Sequence, residues 1–124
     1  MTPPATTGGA WTESVLYSFS NANGGGNLTS GVVMDASGAL YGTTAHGGMA
    51  GLGTAFKLTP PSAAGGAWTE TVLTDFFVAS QGEFPLGGLI FTPNGKLYGT
   101  TQGGGDSFCT LYGPGCGTVF ELQP

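Results

Sequence analysis

Positive charge is almost absent from this sequence. Lys57 and Lys96 are its only Lys or Arg residues, and charged residues are 7% of the 124, against roughly 25% in ordinary globular domains. Two cations displace too few counterions to hold a polyphosphate backbone, so nucleic-acid binding is excluded. A polybasic contact with anionic lipid is excluded for the same reason. No run reaches the roughly 18 apolar residues that span a bilayer, so no membrane insertion is expected. A basic-then-apolar leader is missing at Met1 as well. Histidine occurs once, at His46, so a four-ligand zinc site is poorly supplied. A 3.6-residue apolar period is missing throughout, and glycine interrupts every candidate helix.

What is abundant is glycine, with 25 residues, alongside an apolar content of 40% and a net charge of −5. There is no G-X-Y period, so the chain is not collagen-like, and its aromatic content and low charge separate it from disordered chains. Glycine mixed with Thr, Ser and aromatics points to short strands joined by tight turns. Cys109 and Cys116, with six residues between them, sit among Gly and Pro. They lack the CxxC spacing of redox and zinc sites, so a disulfide that pins one loop is the favoured reading over a metal or redox pair. Such a bond implies an oxidising compartment. Asn27-Leu28-Thr29 is a glycosylation triplet, relevant only in a glycosylating host.

The strongest signal is an internal repeat. Shifted by 57 residues, Gly8-Gly9-Ala10-Trp11-Thr12-Glu13 falls on Gly65-Gly66-Ala67-Trp68-Thr69-Glu70, and Leu40-Tyr41-Gly42-Thr43-Thr44 falls on Leu97-Tyr98-Gly99-Thr100-Thr101. The register then slips by seven, and Gly53-Thr54-Ala55-Phe56-Lys57-Leu58 matches Gly117-Thr118-Val119-Phe120-Glu121-Leu122. Residues 1–64 form the first copy. Residues 65–124 form the second, whose extra loop holds both cysteines. Repeats near this period mean solenoids, propellers or arrays.

Each copy reads as four strands. In the first copy these are Trp11 to Phe19, Gly31 to Met34, Ala39 to Thr44 and Thr54 to Leu58. The second is apolar without alternation, which predicts burial on both sides. Ser37-Gly38 and Asn94-Gly95 mark a hairpin between the second and third strands. The expected fold is therefore all-β, with two four-stranded antiparallel propeller blades. The doubly apolar strand belongs innermost, which makes the Trp-containing strand the outermost strand of the preceding blade. In that strand-swapped phasing, two blades leave one apolar face wet at each end, and such patches mark interaction surfaces. Copies assembling head to tail, each lending its first strand to the next, would complete a ring or an array. The alternative is that the open edges belong to a longer natural protein.

Leu40-Tyr41-Gly42-Thr43-Thr44, Gly47-Gly48, Trp68-Thr69-Glu70-Thr71-Val72-Leu73 and Gly117-Thr118-Val119-Phe120-Glu121-Leu122 together resemble the GloVer repeat family. That family comprises extracellular bacterial proteins with many tandem copies, often with a leader and a C-terminal surface anchor. The resemblance covers nearly the whole chain. It implies a propeller and a location outside the cell, at the surface or secreted. It implies no reaction, because the family has no catalytic motif. This chain differs in having two copies with no leader and no anchor.

The residues themselves offer little chemistry, and the expectation is that the chain is not an enzyme and needs no cofactor. A Ser-His-Asp arrangement must use His46, and no G-x-S-x-G surrounds any serine. Glu13 and Glu70 would be the carboxylate pair of a glycosidase, yet they recur at equivalent points of the outermost strands, which favours a structural role. Asp35 and Asp106 lie near turns without a calcium-loop pattern. No phosphate loop is present, and Gly103-Gly104-Gly105 reads as turn chemistry. The one ligand-binding candidate is the repeated Tyr-Gly-Thr-Thr block. Tyr41 and Tyr98 present rings for sugar stacking, and Thr43, Thr44, Thr100 and Thr101 present hydroxyls. The structural alternative packs the tyrosines between blades and bonds the threonines across strands. Trp11 and Trp68 read as packing anchors. The function expected is a non-catalytic extracellular scaffold or interaction surface that forms a homo-oligomer. The alternatives are a multivalent lectin that binds glycan and a fragment of a larger propeller enzyme.

Overall fold

The computed structural model describes residues 2–3, 7–20, 25–106, 108–109 and 115–124. Among these it is all-β, with seven strands and a single 3-10 turn at Ala79–Gln81. The strands are β1 (Val33–Met34), β2 (Leu40–Thr44), β3 (Thr54–Thr59), β4 (Thr69–Asp75), β5 (Ile90–Phe91), β6 (Leu97–Thr101) and β7 (Thr118–Leu122). They form two antiparallel meanders: sheet I in the order β1-β2-β3-β4 and sheet II in the order β5-β6-β7. The repeat is visible residue by residue. Gly42 pairs with Phe56 and Gly99 with Phe120; Thr44 pairs with Thr54 and Thr101 with Thr118.

The sheets are staggered against the sequence repeats. β4 lies in the second copy by sequence, yet it pairs with β3 and closes the sheet of the first copy. Its pairing runs Ala55↔Thr74, then Phe56↔Val72, so Leu73 is an extra residue at a β-bulge. Bulges turn a strand and re-aim a side chain; here Leu73 packs against the core between the sheets.

Two expectations need correction. Residues 11–19 form no strand: the segment's ladder is limited to an isolated bridge between Thr2 and Thr12. The same segment of the second copy becomes β4 because β3 lies beside it, whereas no strand lies beside residues 11–19 among the described residues. The result is one four-stranded and one three-stranded sheet, not two of four strands, and no ring is closed by these two sheets. The innermost strands are also covered on one side only. Leu89 is 4% exposed and faces the core, while its neighbour Ile90 is 63% exposed.

The core lies between the sheets. Ala39 and Tyr41 of sheet I meet Leu89 and Leu97 of sheet II, with Val33, Leu73 and Phe120 packed around them. The inner strands β1 and β5 approach each other. Polar bonds also cross the gap: the Thr43 hydroxyl donates to Gly87 O at 3.1 Å, and the Phe84 amide to Leu52 O at 2.9 Å.

The hairpins β1–β2 and β5–β6 share one turn geometry with different capping residues. Gly38 and Gly95 take the positive φ, at 82° and 85°. Asn94 does not, so the turn is the longer kind that ends in a left-handed glycine rather than a two-residue Asn-Gly turn. In the first copy the Asp35 carboxylate accepts from the Ser37 amide, the Ser37 hydroxyl and the Ala39 amide. In the second, the Thr92 hydroxyl accepts from the Lys96 amide at 3.1 Å. The Ser37 hydroxyl above all, then the Tyr41 hydroxyl and the two amides, outweigh partial burial and lower the Asp35 pKa to about 2. A carboxylate with a depressed pKa stabilises the fold above its ordinary value near 3.8. That stability is lost as pH falls through the depressed value. The melting temperature should therefore drop as pH is lowered from about 4 to about 2, and Asp35→Asn should flatten part of that drop. An acid slope identical in both proteins, read by thermal unfolding across that window, would refute the assignment.

Candidate functional site

The two Tyr-Gly-Thr-Thr blocks are equivalent in sequence but not in surroundings. Alternation along β2 sends Tyr41 and Thr43 to one face and Gly42 and Thr44 to the other. Tyr41 is buried against sheet II, with its hydroxyl donating to Asp35 Oδ2 at 2.9 Å and Lys57 Nζ 5.4 Å from the ring centroid. Burial, ahead of the nearby charges, raises the Tyr41 pKa. Thr43 is buried, with its hydroxyl on Gly87 O. Thr44 and Thr101 are buried on the opposite faces of their strands. Each receives a backbone amide, from Thr54 at 3.1 Å and Thr118 at 2.9 Å, and each meets that residue's hydroxyl.

Tyr98 and Thr100 stand where Tyr41 and Thr43 do, but on the uncovered face of sheet II. With Gly88, Ile90, Gly99 and Val119 they line a shallow, open hollow of about 200 Å³. Thr100 is exposed and Tyr98 half-buried. The Tyr98 hydroxyl donates to Glu121, which Lys96 also holds at 2.6 Å. Lys96 first, then Tyr98, lower the Glu121 pKa, and Glu121 raises both of theirs. At this surface exposure the ion pair adds little stability. The hollow's walls are mostly apolar, and the Tyr98 hydroxyl is engaged by Glu121 at its border. Of the six ligand-binding candidates, Tyr98 and Thr100 alone are brought together on an open surface.

The remaining candidates are dispersed. His46 is exposed, with Asn27 Nδ2 3.3 Å from its Nδ1 and the Phe84 ring 5.6 Å away between centroids. Glu13 is exposed. Glu70 is half-buried: Oε2 accepts from the Tyr17 hydroxyl at 2.6 Å, and Oε1 is buried without a partner. That bond to Glu70 raises the Tyr17 pKa. Asp106 accepts the Phe108 amide at 3.0 Å, a turn bond like that of Asp35. Trp11 is exposed and Trp68 half-buried. No group of three or more His, Cys, Asp or Glu is placed to hold a metal among the described residues.

Cys109 and Cys116 are joined, with their Cα atoms 5.1 Å apart, and both are exposed. The bond staples the loop between β6 and β7, and it is consistent with an oxidising, extracellular compartment. No helix among the described residues is long and apolar enough to cross a membrane.

Sequence reasoning missed one element, the partnered glycines and phenylalanines. The Phe56 ring lies over Gly42, and the Phe120 ring over Gly99, so that a Cβ on either glycine would stand within 2.6 Å of a ring carbon. Phe19 then meets Phe56 edge-on at 4.7 Å, and Phe76 meets Phe120 edge-on at 5.1 Å. Glycine opposite an aromatic residue across a strand pair is a known sheet device, and that pairing of residues was the available signal.

No protein-family model matches the chain, and no curated protein and no solved structure matches it.

Proposed function

We propose that this chain is a non-catalytic, extracellular propeller module of the GloVer type, whose role is to assemble with copies of itself into a scaffold that presents an interaction surface. The observation that carries the reading is the unequal pair of sheets. Sheet I has four strands because the second copy donates β4; sheet II repeats its first three strands, and the side of β7 away from β6 has no ladder partner among the described residues. Unpaired edges and uncovered apolar faces are liabilities unless something occupies them. Lysine at an edge is a common safeguard, and this chain has two lysines in all. The hydroxyls of the buried threonines, engaged within the sheets, support a structural role for the repeated block rather than a site.

The test is native mass. Light scattering at micromolar concentration should give three or four times 12.3 kDa for a ring of six or eight blades, or a longer polydisperse array. A well-folded monomer would overturn the reading. The lectin alternative is favoured by the open hollow at Tyr98 and Thr100. The same preparation on a glycan array separates the two: binding that Tyr98→Ala abolishes supports a lectin, and no binding supports the scaffold.

A further inference from the structure

The internal repeat supplies a template for the surface that sheet II leaves open. Residues 12–18 read Thr-Glu-Ser-Val-Leu-Tyr-Ser, and β4 reads Thr-Glu-Thr-Val-Leu-Thr-Asp. β7 corresponds in the same way to β3, to which β4 is paired. Phe19 follows the first segment directly and Phe76 follows β4 directly. Both rings meet the equivalent Phe of the next sheet edge-on, Phe56 and Phe120. Residues 12–18 therefore approach sheet I from the side and position that β4 occupies relative to sheet II. They take the place of an outermost strand, without a ladder partner beyond the Thr2–Thr12 bridge among the described residues.

The faces match as well. Val119 is 78% exposed, whereas its counterpart Ala55 is fully buried against sheet II. Leu16 is 47% exposed, whereas its counterpart Leu73 packs into the core between the sheets. On the opposite side of the molecule Val32 is exposed, and its counterpart Leu89 is buried. Val119, Leu16 and Val32 are thus wet where their counterparts Ala55, Leu73 and Leu89 are covered within the chain. The junction between the two sheets is thus a pattern for a junction between chains.

Resting on the self-assembly reading above, we propose that a second copy of this chain inserts its residues 12–18 as the fourth strand of sheet II, antiparallel to β7, in the register Val119↔Tyr17, Phe120↔Val15, Glu121↔Ser14 and Leu122↔Glu13. This is the β3–β4 register carried across the repeat, with Leu16 as the bulge residue turned into the new interface. The contact is heterologous, since the donor segment and the acceptor edge are different surfaces of each copy.

Cysteine trapping between singly substituted chains tests it. A Ser14→Cys chain mixed with a Glu121→Cys chain and mildly oxidised should give a covalent dimer with one of each, seen by non-reducing electrophoresis and mass. Ser14→Cys mixed with Val119→Cys is the off-register control. Val119 lies two residues from Glu121, about 7 Å along the strand, which with the spacing between strands puts its Cα about 8 Å from that of Ser14. Cα atoms more than about 7 Å apart cannot be bridged, so the in-register mixture should exceed the control roughly tenfold. Both Ser14 and Glu121 are exposed, so the substitutions spare the core. If native mass shows an assembly but the two mixtures trap equally, or neither traps, the strand register is overturned while the self-assembly reading stands. If the mass is that of a monomer, both fall.

Discussion

Phe56→Ala is expected to destabilise the fold by about 3–5 kcal/mol, lowering the melting temperature by roughly 10 °C or more. Phe56 is fully buried. Its ring fills the space above Gly42 on the neighbouring strand, with Val32 close by and Phe19 edge-on beyond it. Truncation removes the ring's apolar burial and leaves a void that glycine cannot refill, since Gly42 has no side chain to move in. The loss also reaches the donor segment, because Phe19 rests on the missing ring. Phe120→Ala is the internal comparison. Phe120 also lies over a glycine, Gly99, but it is half-buried, so the loss there should be smaller. Thermal and urea unfolding of both variants decide the point. Equal losses, or a reversed order, would mean that the Phe19 side of sheet I is not the tight side.

Gly47→Ala is expected to cost about 3 kcal/mol or more, combining backbone strain with overpacking. Gly47 has φ of 102°, and a Cβ there would stand 2.0 Å from the Gly25 Cα and within 3.0 Å of that residue's backbone N and C. Backbone cannot swing aside as a side-chain tip can. Beside this crossing Gly26 and His46 exchange backbone hydrogen bonds, and Glu83 and Gly103 do the same in the second copy. Gly31→Ala is the control: a Cβ there meets nothing within 4 Å, and φ is not positive. Its cost should stay within about 0.5 kcal/mol. A Gly47→Ala protein with the wild-type urea midpoint would refute the close crossing.

Much of this architecture was legible in the sequence, because repetition removes ambiguity that a single short strand carries. β2 and β6 were marked by identical five-residue blocks, β3 and β7 by alternation of Thr, Phe and Leu, and the loop staple by its cysteine spacing. The stagger of β4 onto the sheet of the first copy followed from placing the doubly apolar strand innermost. Residues 11–19 were misjudged, since β-propensity describes how a segment fits a ladder and cannot say whether a neighbouring edge exists. Two-sided burial of the inner strands failed for a related reason. An apolar run records what a strand is suited to contact, and Ile90 has no such cover among the described residues. Of the Tyr-Gly-Thr-Thr candidates, identical sequence could not distinguish Thr43, bonded across the gap between sheets, from Thr100, which is open. That difference is set by position along the repeat.

The link between β3 and β4 has a thermodynamic consequence of its own. Residues 60–68 tether the donor strand of sheet I to its acceptor, so that pairing is intramolecular, at an effective concentration that short tethers hold near the millimolar range. In the proposed assembly, sheet II would draw the equivalent segment, residues 12–18 of a second copy, from free solution. One sequence unit is thereby presented with its partner twice, once leashed and once diffusing. In that proposed assembly, dilution would leave the first pairing intact and weaken the second, so the number of chains present would set how many of these edges are filled.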